Sequence, residues 1–377
     1  MKFEVLTTAQ TAEWMQAIEP CAHDFYHLPQ YHAVAERSGE GTALLFHFLE
    51  DGYSMALPLL IRTLDDVPGI AKGAGWRDAT SVYGYAGPVA SHAEIPERIV
   101  RNFQERLQEH LEAMNVVTVF SRLHPIIAQQ SLLKGMGEYQ VLSQTVSIDL
   151  TLPVEEQRRG YRTSLKTAIN KVRRMGVTCV QDRAGVHLEE WMDIYYETMR
   201  RVGAVESYFF PREYFRHLFH ALGDRFCLAV CLLEGKVVCG GIFIETGEIL
   251  QYHLGGTLNR ALEFAPMKLL LDEMRLFANS RGLKVFHLGG GTTPHADNPL
   301  LHFKRGFSER LHDFPVWRWV LNVPVYQRLC RDRSQWCDEN GLEATSRGFF
   351  PAYRTPVVQR AVPPFLAAAT QIQEIHP

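Results

Sequence analysis

The chain is poor in the features by which a sequence announces its function. No apolar run approaches the ~18 residues needed to cross a bilayer, so no membrane span is expected. The first residues, MKFEVLTTAQTAEW, carry acids and polar groups where a secretory leader has an apolar core. Seven cysteines occur without a C-x-x-C, which suits reduced thiols better than a disulfide framework. Cys227, Cys231 and Cys239 fall in strand-like apolar runs and are expected as small buried residues. There is no Walker A lysine motif and no G-x-S-x-G elbow, which argues against an NTPase or an ordinary serine hydrolase. His295, His302 and Asp297 do not have metal-ligand spacing, so no metal is expected, and the sequence calls for no cofactor. A net charge of −3 excludes a strongly basic protein, so any nucleic-acid contact must be local. The expected location is the cytoplasm.

What is present is a globular chain. Its 377 residues are 46 % hydrophobic and 21 % charged, enough for two domains of average size and unlike a disordered segment. Its organisation suggests a duplication. Residues 44–61 make two apolar strands around Asp51-Gly52, a strong hairpin signal, and residues 227–244 repeat the plan around Glu234-Gly235. YGYAGPV at 83–89 and YHLGGTL at 252–258 follow as tyrosine strands broken by glycine. Pro96 and Pro266 each open a helix, running about to Met114 and Ala278. Strands Val116–Phe120 and Leu283–Leu288 follow in turn. Residues 62–81, rich in Gly and Asp, are expected as an insert of the first copy. Residues 186–222 are expected as two helices. A short helical pattern follows Pro324, and the proline-broken end from Arg354 is expected to pack loosely or trail.

The most specific stretch runs from His287 to Phe307, HLGGGTTPHADNPLLHFKRGF. An apolar strand enters three glycines, which lack a Cβ and let backbone approach a ligand closely. Phe303-Lys304-Arg305-Gly306-Phe307 then sets a lysine between aromatics. This block resembles the closing signature of the FemABX-like peptidyltransferases, relatives of the GNAT acyltransferases. The resemblance covers most of residues 1–320. It implies an α/β (α+β) fold of two tandem GNAT-like domains, each a mixed, mostly antiparallel sheet flanked by helices, without a coiled-coil arm. The expected boundaries are 1–150, 151–325 (catalytic) and a helical extension with a tail at 326–377.

The family moves an amino acid from aminoacyl-tRNA onto an amine, which implies an aminoacyl-tRNA donor and a small-molecule or nucleotide-linked amine acceptor. The acceptor could be a peptidoglycan precursor, an envelope sugar or a natural-product intermediate. SVYGYAGPV and SRLHP look more like the FemAB-related proteins of polysaccharide and natural-product clusters than like cell-wall enzymes. By the same resemblance Phe303 and Lys304 lie at the reacting centre. A fixed ammonium there would stabilise a developing oxyanion, and Asp297 is the candidate to take a proton from the attacking amine.

Gly290, Gly291, Arg305, Tyr252 and Tyr83 are candidate substrate contacts; the tyrosines, with Tyr85 beside Tyr83, have an alternative as core residues on the central strands. Residues 158–174, RRGYRTSLKTAINKVRR, predict one helix with Tyr161, Leu165, Ala168 and Val172 as its buried stripe. Arg159, Arg162, Lys166 and Arg173 form a cationic face that suits phosphates, or is simply solvated. An acyl-CoA-dependent N-acyltransferase on the same scaffold is the main alternative. The Gln/Arg-x-x-Gly-x-Gly/Ala pyrophosphate loop such enzymes use is absent from LGGTLNRALEFAPMK.

Overall fold

The computed structural model describes residues 1–127, 129–291, 298–346 and 348–360. In the first half, β1 (Lys2–Thr7) leads to α1 (Thr11–Ile18) and α2 (Pro29–Arg37). The hairpin of β2 (Thr42–Glu50) and β3 (Tyr53–Thr63) follows, then β4 (Arg77–Thr80), β5 (Val89–Ala90), α3 (Glu97–Ala113), β6 (Val116–Arg122) and β7 (Glu138–Asp149). Two helices, α4 (Val154–Arg159) and α5 (Thr163–Arg174), lead into the second half.

That half repeats the order: β8 (Thr178–Asp182), α6 (Leu188–Arg201), α7 (Arg212–Leu222), β9 (Phe226–Leu233), β10 (Lys236–Thr246), β11 (Ile249–Thr257), α8 (Met267–Ser280), β12 (Val285–Gly290), α9 (Pro299–Lys304) and β13 (Leu311–Val320). The chain continues into α10 (Val323–Glu339) and a small ribbon of β14 (Leu342–Ala344) and β15 (Val357–Gln359).

Both expected hairpins form as the sequence dictates. Asp51 and Gly52 have φ of 49° and 84°, and Glu234 and Gly235 of 52° and 74°. Positive φ at both central residues is the two-residue turn whose twist matches the flanking strands. Each hairpin is followed by a strand running parallel to the one after the helix: β4 to β6, and β11 to β12. Residues 62–81 are therefore not merely an insert, because they end in β4, the counterpart of β11. YGYAGPV is not a counterpart strand either. Of it only Val89 pairs, together with the following Ala90, against β3, and Tyr83 lies in irregular chain.

Among the described residues the strands of the two copies join in one 13-stranded sheet, with the path β1-β2-β3-β4-β6-β13-β7-β12-β11-β10-β9-β8 and β5 paired to β3 off that path. The copies exchange their last strands. β7, from the first, pairs with β12 of the second, while β13, from the second, pairs with β6 of the first. The helices that follow cross over too. α5 packs Leu165, Ile169 and Val172 against Leu270, Leu271 and Met274 of α8, and α10 packs Leu329 against Leu64, Val67 and Val117.

A further core is shared by both halves, with Trp14 and Tyr31 beside Trp191 and Phe215. Across it the Tyr31 and Tyr214 hydroxyls meet at 3.4 Å. α10 is a full 17-residue helix, longer than the pattern suggested. The segment from Arg354 does not begin loosely: its guanidinium donates to the fully buried Asp78 at 2.6 Å, opposite Arg62 at 2.7 Å. Cys227, Cys231 and Cys239 are buried as expected, and Cys179 is half-buried.

Candidate functional site

The site is built where β12 leaves its neighbour. β11 and β12 pair only through Ile249–Gln251 and Val285–His287. On the opposite side, β12 steps out of register with β7 between His287 and Gly289. Gly289 has φ +74°, a conformation that L side chains rarely adopt, so the bulge needs glycine there. A Cβ on Gly291 would fall 2.6 Å from Cγ of Asn298, so this glycine is what lets the end of the strand touch the start of α9. Asn298 caps that helix through Oδ1, which accepts from Leu300 N at 3.0 Å and Leu301 N at 3.1 Å, and Pro299 fills its first position.

This short, well-capped helix aims Lys304 inward. The side chain is 6 % exposed, and Nζ donates to the Gly290 carbonyl at 2.7 Å. It also lies 5.6 Å from the ring centroid of Tyr252, which is itself stacked on Phe243. No carboxylate pairs with it among the described residues. Burial alone pulls the ammonium down to about 7. Phe303 packs edge-on against Phe307 and helps hold α9 to the core. A cation so desolvated, with no carboxylate beside it among the described residues, is costly to keep, which is the usual mark of a functional group.

The first half supplies Tyr85, which the sequence had flagged only as a companion of Tyr83. Its Oη accepts from Gly290 N at 3.3 Å. Its ring is held edge-on by Phe314 at 5.1 Å and lies 5.3 Å from that of His287. Burial pushes its hydroxyl up to about 12, so it remains a proton donor at neutral pH. Gly84 is fixed beside it: a Cβ there would fall 1.9 Å from Tyr26 Cε1.

Beneath Tyr85, His287 Nδ1 donates to Gln251 Oε1 at 2.5 Å, since the Gln251 amide nitrogen donates elsewhere, to Tyr252 O. Its Nε2 is left as a buried acceptor without a partner among the described residues. Deeper still, His124 accepts from Ile126 N and Ile127 N through Nδ1, so its Nε2 carries the proton and donates to Asp24 at 3.1 Å. Only the fold could show these histidines, because a lone His in an apolar run gives no sign of its neighbours.

The other expected residues are distributed differently. Lys304, Tyr252 and Gly290 come together, with Gly291 at the edge. Tyr83 faces Tyr208, Phe210 and His253 at the junction of the halves. Arg305 caps α9 and leaves Nε without a partner among the described residues. Asp297 and His295 lie outside the described residues.

The basic segment is two helices, not one, broken at Gly160–Arg162. Ile169 completes the buried stripe, and Ala168 is only half-buried. Arg162 caps α5, its N–H donating to Gly306 O at 2.9 Å and its guanidinium meeting His302 at 2.7 Å. Lys166 Nζ donates to Arg159 O at 2.9 Å. Arg162 thus lies against the outer face of α9, two residues along from the inward Lys304, with Lys166 one helical turn further on. Arg173 does not belong with them. It is tied to Asp272 at 2.9 Å and Glu273 at 2.7 Å, a structural role that removes it from the substrate contacts.

Similarity to known proteins agrees with this architecture. Residues 159–305 match the family profile described as Acetyltransferase (GNAT) domain. No curated protein matches the chain. Among solved structures, FemX is 14 % identical with a TM-score of 0.67, covering 87 % of this chain and 99 % of that one. L-PGS from Bacillus licheniformis is 14 % identical with a TM-score of 0.54, covering 83 % and 93 %. A conserved protein of unknown function from Bacteroides thetaiotaomicron is 10 % identical with a TM-score of 0.55, covering 85 % and 99 %. At such identities the likeness is one of fold: the chain has the FemX-like fold, and its second half carries the match to the GNAT domain profile.

Proposed function

We propose that this GNAT-fold acyltransferase is an aminoacyltransferase, forming an amide by passing an amino acid from aminoacyl-tRNA to an amine acceptor. The observation that carries the reading is Lys304, an ammonium buried without a carboxylate partner among the described residues and bonded to Gly290, the last residue of β12. Acyl transfer to an amine builds negative charge on the carbonyl oxygen, and a preorganised cation in a dry site stabilises it. Phe303-Lys304 also occupies the position that the FemABX-like signature assigns to the reacting centre. The FemX-like fold supports the same donor class.

Arg162, against the outer face of α9, and Lys166, one turn further along α5, give phosphates of the tRNA or of a nucleotide-linked acceptor a place to bind. The alternative, an acyl-CoA donor, draws support from the acetyltransferase profile. Against it, the link between β11 and α8 is a 3-10 turn over Asn259–Phe264 whose Ala261 and Phe264 are buried, not a glycine loop open to a pyrophosphate. Incubation with charged tRNA and amine acceptors should yield an amide, and prior RNase treatment should abolish it. Robust turnover with acyl-CoA in the absence of tRNA would overturn the donor assignment.

A further inference from the structure

We propose that Tyr85, contributed by the first half, is a second catalytic donor that acts with Lys304 on the oxygen of the reacting carbonyl. This rests on the acyl-transfer reading above and adds a residue to it. The geometry converges on Gly289. A Cβ built on that residue would lie 3.4 Å from Lys304 Nζ and 3.5 Å from Tyr85 Oη. Glycine carries no side chain there, so both polar groups border the same bare face of Gly289, and a ligand oxygen in van der Waals contact with that face can approach both.

The two groups are held by the same residue, through its two flanking peptides. Lys304 donates to the carbonyl of Gly290, and Tyr85 accepts from its N–H. Each keeps protons for a ligand. Lys304 spends one of its three, and the Tyr85 hydroxyl proton has no acceptor among the described residues. The ligand class is therefore the carbonyl oxygen of an activated ester. Backbone amides commonly fill this role, but here an ammonium and a phenol from different halves of the chain do so.

The step balances as follows. The neutral amine nitrogen attacks the ester carbon, a C–N bond forms, and the π pair moves onto oxygen. Tyr85 O–H and Lys304 N–H hold that oxyanion. Its collapse restores the C=O and breaks the bond to the leaving oxygen, which takes up the proton the amine gives away.

The test uses the full-length protein and three donors: aminoacyl-tRNA, acetyl-CoA and 4-nitrophenyl acetate, each with hydroxylamine as acceptor. Tyr85→Phe keeps the ring against Phe314 and His287 while removing only the donor. It should lower kcat by about 10²-fold, with KM little changed and the melting temperature preserved. Lys304→Met should do the same, and the double variant should lose less than the product of the two, since both act on one oxygen.

A folded Tyr85→Phe protein with wild-type kcat on a donor the wild type uses would overturn the assignment and leave the tRNA reading intact. Tyr85-dependent turnover of acetyl-CoA or the nitrophenyl ester, with none from aminoacyl-tRNA, would uphold Tyr85 and sink the tRNA donor. A wild-type protein that accelerates none of the three would refute both.

Discussion

Lys304 carries a cost that its own sequence position does not reveal. An ordinary lysine titrates near 10.5, and burial brings this one to about 7. Between those values the unfolded chain holds a proton that the folded protein has shed, so stability rises with pH across that window. The penalty is fully present below pH 7. Lys304→Met removes it together with the bond to Gly290, so at pH 6 its melting temperature should equal or exceed the wild type's. The difference should shrink toward pH 10. A variant several degrees less stable at pH 6 would mean that the Gly290 bond outweighs the desolvation. Transfer should fall by about 10²–10³ in the same protein. If the ammonium form is the active one, wild-type kcat should decline as pH rises through about 7. Lys304→Arg should restore part of the rate and move that decline to higher pH, since a guanidinium stays charged.

The helices around α9 separate binding from scaffolding. Asp272 is fully buried and accepts from Arg158 at 2.8 Å, Arg173 at 2.9 Å, Arg275 at 3.0 Å and Tyr161 at 3.1 Å. It is the post to which α4, α5 and α8 are tied. Asp272→Ala leaves Arg275, 1 % exposed, without its carboxylate and should destabilise the protein by about 3–5 kcal/mol in urea titrations. Arg173→Ala should lower the melting temperature without raising KM. Arg162→Ala with Lys166→Ala should do the opposite: fold unchanged, apparent KM for a phosphate-bearing substrate raised, the effect fading with salt. Unaltered kinetics in that double variant at low salt would return the pair to an ordinary solvated surface. The basic face was visible in the sequence because spacing shows which residues share a side. Arg173 was misplaced in it because the carboxylates that claim it lie about a hundred residues away.

The exchange of β7 and β13 binds the whole molecule into one unit. Separated at residue 150, the first half would lose the strand between β6 and β7, and the second would lose the neighbour of β12. Each should be insoluble or unfolded alone, and co-expression should restore a folded complex, read by circular dichroism. Because Trp14 and Trp191 share a core, urea unfolding should show one transition by both fluorescence and circular dichroism. Histidines in and beside that core set its acid limit. Burial holds His253 to about 3 and His32 to about 4, whereas free imidazoles titrate near 6.5. Above pH 6.5 neither state binds the proton. As pH falls below it, the unfolded chain takes protons the folded one refuses, so the urea midpoint should drop steadily between pH 6.5 and 4. A midpoint independent of pH over that range would show that these rings accept protons in the folded state.

The residues alone determined what depends on near neighbours. Asp51-Gly52 and Glu234-Gly235 are hairpins because of their own backbone preferences. Pro96 and Pro266 open helices, and the glycines after Leu288 with Phe303-Lys304 mark the chemistry. The duplication was legible as well, since each copy repeats its pattern. The pairing of distant strands was not. β4 is four residues long and buried between partners, too short to show a period. Nothing in β7 or β13 says that each completes the other copy's sheet. Tyr85 could not be distinguished from Tyr83 by spacing, because in irregular chain side-chain direction follows no period. Only tertiary structure, by closing the exchanged sheet and bending the chain at Gly84, brought Tyr85 from one half to Lys304 of the other.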